Sequence, residues 1–172
     1  LVVSSGLFGA QDATQNFAPT FVWIIWWIGL AYAAALVGNP WPIINPWSII
    51  FSVFEHFARR LRPERPLIPF FAYPDRLGVW PAVILFGLFA WFELISESAK
   101  SPVALASAIL IYSGVTWCGM ALFGGRTWLA HGEAFSLAFE VFGRFAPIGS
   151  QQGDFTDDRP HRYQLRQYAS AL

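Results

Sequence analysis

Two short clusters carry side chains that could do chemistry together: Glu55-His56, and His131 with Glu133. Imidazole and carboxylate are the usual ligands of Zn, Fe and Mn, and a metal held by these four residues could activate water for hydrolysis. Spacing weighs on the other side. Adjacent residues on a helix point about 100° apart, and neither H-E-x-x-H nor E-x-x-H occurs. In the plain alternative Glu55 pairs with Arg59, one helical turn on, and His56 sits among lipid headgroups.

A second chemical candidate is the run Arg59-Arg60-Leu61-Arg62-Pro63-Glu64-Arg65. Clustered guanidinium groups bind anionic lipid, each contributing about 1 kcal/mol near a negative leaflet. The same arginines fix which way neighbouring membrane helices run. Glu93 is the only acid inside an apolar run long enough to cross a bilayer, a position that marks functional carboxylates. It lies at the end of that run beside Trp91 and near Glu97, so headgroups can hydrate it.

The elements that must position these residues are set by composition. Of 172 residues 55% are hydrophobic and 13% charged, with 17 Phe and 9 Trp, whereas water-soluble domains carry about a quarter charged residues. Lipid is therefore the expected solvent for much of the chain. Net charge is zero, which gives no electrostatic footprint for nucleic acid. The single cysteine, Cys118, excludes an internal disulfide and reads as a packing residue.

Three runs are long enough for a hydrocarbon core about 30 Å thick: residues 20–38, 78–95 and 102–124. Pro19, Pro81 and Pro102 stand in or just before their first turns, where a missing N–H costs nothing. Gly38 and Gly124-Gly125 close two of them. Ten of the eleven cations follow the first or third run, and only Lys100 lies between the second and third. The excess of Lys and Arg on cytoplasmic loops places residues 59–76 and the C-terminal tail inside. The first run then goes inward, the second outward and the third inward.

Two further segments read as amphipathic helices lying flat at the cytoplasmic interface. From Asn45-Pro46, Ser48, Ser52, Glu55, His56 and Arg59 form one polar stripe, with Trp47, Phe51, Phe54 and Phe57 on the remaining face. In the stretch 128–147, Glu133, Ser136, Glu140 and Arg144 recur every three or four residues among Phe135, Phe139 and Phe142. Phe54–Arg59 matches Phe139–Arg144 as F-E-x-F-small-R. This raises a duplicated unit of span plus surface helix against chance matching in a Phe-rich chain. The two Asn-Pro-Trp triplets, at 39–41 and 45–47, turn the chain from a perpendicular to a flat helix and offer Trp41 and Trp47, with Trp23, Trp26 and Trp27, for contact with lipid or a partner.

The first and third runs contain no ionisable residue besides Cys118 and tyrosines, and no run contains His. Nothing there supplies a proton relay or an axial haem ligand, which argues against a transporter. The opening LVVSSGLFG is too short to span and reads as the ragged end of a longer protein or helix. Residues 150–172 form a polar tail.

At NFAPTFVWIIWWIGLAYAAALVGNPWPIINPW and RTWLAHGEAFSLAFEVFGRFAPIG the chain resembles a family of multi-span bacterial membrane proteins, some labelled fenitrothion hydrolase. The resemblance covers residues 16–149 and implies a bacterial inner-membrane location. It also raises an organophosphate-cleaving activity, for which Glu55, His56, His131 and Glu133 would hold the metal.

The expected fold is an all-α membrane protein with three transmembrane and two interfacial helices. The expected role is that of a subunit packing with partner helices in a larger membrane complex. A membrane-bound metal-dependent hydrolase is the alternative, with a transporter fragment behind it. Divalent metal, lipid or pigment are the cofactors such a chain could contact, and lipid and other membrane subunits are its expected partners.

Overall fold

A computed structural model describes residues 1–61, 69–149 and 164–165. Arg62, Arg65 and the tail, apart from residues 164–165, lie outside that set. Among the described residues the chain is helical, save for a two-residue antiparallel ladder pairing β1 (Ile148–Gly149) with β2 (Gln164–Leu165).

Among the described residues three helices are long and apolar enough to cross a membrane: α2 (Phe17–Val37), the span Asp75–Leu94 that contains α5 (Trp80–Leu94), and α6 (Pro102–Phe123). The first opens on Asn16, whose side-chain oxygen accepts from the Ala18 N–H at 2.8 Å. Its amide donates at 2.8 Å to Ser5 O, tying α1 (Val2–Phe8) to the start of the span. Gly38, at φ 114°, and Gly124, at φ 89°, end the first and third spans. Both positions lie in the left-handed region where only glycine avoids a Cβ clash.

Residues 21–28 of the first span are wound as a π-helix with i→i+5 hydrogen bonds, such as Gly29 N–H to Ile24 O. Such turns are rare and wider than α turns. Here Trp26 meets Phe135 edge-on at 4.6 Å while the adjacent Trp27 meets Phe89 at 4.9 Å.

After the first span the chain turns through α3 (Trp41–Ile44) into α4 (Pro46–Leu61). Asn39 Oδ1 accepts from Trp41 N–H, and Asn45 Oδ1 from Trp47 and Ser48 N–H. The second Asn-Pro-Trp triplet is thus a capped helix start, while in the first Asn39 ties down the turn that leads into α3. The helix Pro46–Leu61 buries Trp47 and leaves Phe54 and Phe57 exposed.

The third span leads into α7 (Gly125–His131) and α8 (Ala134–Gly143). Trp128 lies against Gly119 and Gly132, where an added Cβ would come within 2.3 and 2.6 Å of its ring. The residues 134–143 do not form the surface helix expected from their polar spacing. Phe139 is fully buried and Phe135 is 3% exposed. Both join Ala34, Trp41, Trp47, Met120 and Trp128 in the core, because α8 packs against the end of the first span and against the second.

The duplication finds no support in packing. Both Glu–Arg pairs form, at 2.7 Å for Glu55–Arg59 and 3.1 Å for Glu140–Arg144. Yet Phe54 is 63% exposed and its counterpart Phe139 is buried.

Candidate functional site

Among the described residues the densest polar constellation surrounds Glu133, a carboxylate with no solvent exposure. It is the N-cap of α8, accepting the Phe135 N–H at 3.0 Å on Oε1 and the Ser136 N–H at 2.7 Å on Oε2. The Ser136 hydroxyl adds a bond at 2.6 Å. Three donors arrive from far along the chain: the Trp41 indole at 3.1 Å, the Asn45 amide at 3.4 Å and the Tyr112 hydroxyl. The N-terminal end of a helix also favours negative charge.

The local sequence builds this cap. Gly132 breaks the preceding helix, and its N–H and that of Glu133 both return to Trp128 O. Glu133 then takes an extended conformation while its side chain folds back over the first turn of α8. All six partners are donors, and an ionised carboxylate is acceptor-only with about four lone-pair sites. The set therefore saturates Glu133. Binding a metal or taking a proton from substrate would require breaking bonds that hold α3, the third span and α8 together.

Beside this hub, on the other side of Tyr112, Trp47 and Phe135, lies a cavity of ≈ 470 Å³ between the three spans. Its walls are Val22, Trp23 and Trp26 from the first span, residues 85–92 from the second and residues 105–115 from the third. The polar atoms of several lining aromatics are engaged elsewhere. Trp23 Nε1 donates to Ala99 O at 3.2 Å, Trp47 Nε1 to Ser113 Oγ at 2.8 Å, and the Tyr112 hydroxyl to Glu133.

The four residues expected to bind metal are not brought together. Glu55 pairs with Arg59 on the exposed side of α4, and His56 beside it is exposed. His131 is exposed at the end of α7, with Nδ1 at 3.1 Å from Thr127 O and its ring 5.3 Å from that of Tyr73. Glu133 is enclosed as described. Among the described residues no group of three or more His, Cys, Asp or Glu could hold a metal ion.

The tryptophans divide. Trp41 and Trp47, expected at lipid or a partner, are 1% and 8% exposed because their indoles anchor to Glu133 and Ser113. Trp23, Trp26 and Trp27 are partly buried between the spans. Cys118 is exposed on the third span, not packed inside. Arg59 and Arg60 are exposed at the end of α4.

Tyr112 and Ser113 are the members of the site that sequence reasoning passed over, and Asn45 was read only as a helix start. The only signal for Glu133 as a hub was its place between Gly132 and the apolar run AFSLAF. Comparison with family models, with curated proteins and with solved structures finds no match.

Proposed function

We propose that this chain is a membrane-integral subunit whose spans pack with partner helices in a larger membrane complex. The observation that carries the reading is the state of two glycines in the spans. A Cβ placed on Gly87 of the second span or Gly114 of the third would meet nothing within 4 Å. Small residues in membrane helices allow close backbone approach between helices, and among the described residues nothing comes close to these two. The surrounding faces agree: 6% of the apolar stretch of the second span is buried, against 33% of the third. Gly114 shares its face with Leu110 and Cys118, spaced by four and all exposed.

The arginine bias supports an orientation with residues 59–76 and the tail on the cytoplasmic side of a bacterial inner membrane. A metal-dependent hydrolase of the fenitrothion type draws its support from the family resemblance alone, since Glu133 is saturated.

The test is Gly114→Leu. Extracted in mild detergent, the wild-type chain is expected in a complex larger than itself. The variant is expected to keep its unfolding midpoint and to fall out of that complex. A wild-type chain that is alone and monomeric, or a folded variant that stays fully assembled, would contradict the reading.

A further inference from the structure

The cleft of ≈ 470 Å³ between the spans is small beside a whole partner helix, and it opens toward the bilayer, since Leu88, Trp91 and Ile111 of its lining are each more than half exposed. A transmembrane helix about 10 Å across and about 30 Å long fills on the order of 2,400 Å³. The second and third spans do not pack on each other along their lengths, although the short turn 95–101 joins them. What fills the gap is narrow and apolar, because the lining is aliphatic and aromatic throughout and the indoles of Trp23 and Trp47 and the Tyr112 hydroxyl are bonded to other groups of the protein.

Length narrows the choice further. Along the third span the lining runs from Leu105 to Val115, ten residues or about 15 Å at the helical rise. That is half of a hydrocarbon core of about 30 Å, one leaflet deep. The lined stretch begins three residues inside the turn on the third span and, at Phe92, two residues from the end of the second. It closes below on Trp47 and Phe135.

We infer that this cavity holds one acyl chain of a phospholipid from the leaflet that contains the 95–101 turn. The headgroup then lies at the turn and the chain end rests on the aromatic floor above the Glu133 hub. This places an ordered lipid inside the protomer, independent of whether partner helices cover its outer faces.

The protein, extracted in mild detergent, would be weighed by native mass spectrometry as the wild type and as Ala108→Phe, which fills the cavity from the third span. The expected result is one phospholipid per chain in the wild type, at least tenfold lower occupancy in Ala108→Phe, and full occupancy in Leu110→Phe on the outward face. Val115→Phe, at the inner end, is the second filling variant should Ala108→Phe fail to fold. A wild type carrying no lipid, including one recovered in a protein complex without lipid, overturns the inference, as does a folded filling variant with full occupancy.

A readout on the wild type needs no filling variant. Trp47 is 8% exposed yet lines the cavity. In phosphatidylcholine vesicles with brominated acyl chains, the fluorescence component lost in Trp47→Phe is expected to be quenched. An unquenched Trp47 component overturns the inference.

Discussion

Replacing Glu133 by alanine removes the acceptor for six hydrogen bonds at once. Losing the N-cap of α8 costs about 1 kcal/mol. The Trp41 indole and the Tyr112 hydroxyl then stay buried without a partner, at about 1–3 kcal/mol each. Together these give about 3–7 kcal/mol, in the range reserved for the most damaging single substitutions. Glu133→Gln should be milder. Its amide keeps one oxygen for the four donors now on Oε2, and the amino group turns to the Oε1 side. There Tyr112 can rotate to accept, and only the Phe135 N–H is stranded, at about 1–3 kcal/mol. Unfolding in mixed micelles with increasing dodecyl sulfate, followed by tryptophan fluorescence and helical circular dichroism, measures both. A Glu133→Ala protein within about 0.5 kcal/mol of wild type, or a Gln variant as damaged as Ala, would refute the hub as the tie between α3, the third span and α8.

Gly119→Ala should destabilise by about 1–3 kcal/mol through overpacking, because its methyl would lie 2.3 Å from the Trp128 ring; an unchanged midpoint and Trp128 emission would count against that packing. Tyr73 donates to Gly78 O at 2.8 Å, and burial raises its phenol above the ordinary value of 10.0. A folded pKa above the unfolded one gives stability that is full below pH about 10 and lost as pH rises through the raised value. Tyr73→Phe should remove part of that alkaline loss, as phenolate absorbance and the unfolding midpoint would show. Glu55→Ala and Glu140→Ala each break one exposed i,i+4 pair and should cost no more than about 0.5 kcal/mol, read as midpoint shifts.

The spans were legible because their signal is local: runs of apolar residues, prolines at first turns and glycines at ends report one helix at a time. The Asn45 cap was legible for the same reason. The fate of residues 134–143 was not, because a polar residue every three or four positions describes a face without saying what meets it. Glu133 and Ser136 turn toward each other at the cap, while Glu140 faces out to Arg144. The partners of Glu133 come from 92, 88 and 21 residues away, and no single-sequence pattern reports such separations. The π-wound turn escaped as well, since FVWIIWWI satisfies an α-helix equally well. His56 and His131, paired on paper by their neighbouring acids, are exposed on α4 and α7.

The most direct test of the subunit role is photo-crosslinking in intact cells, with a photoreactive residue at Leu110, beside Gly114 on the outward face, or at Ala108 in the cavity wall. The expected result is one discrete protein adduct of constant added mass from Leu110 and a lipid adduct from Ala108. Lipid adducts alone from Leu110 would mean that the open face of the third span meets bilayer and no partner helix.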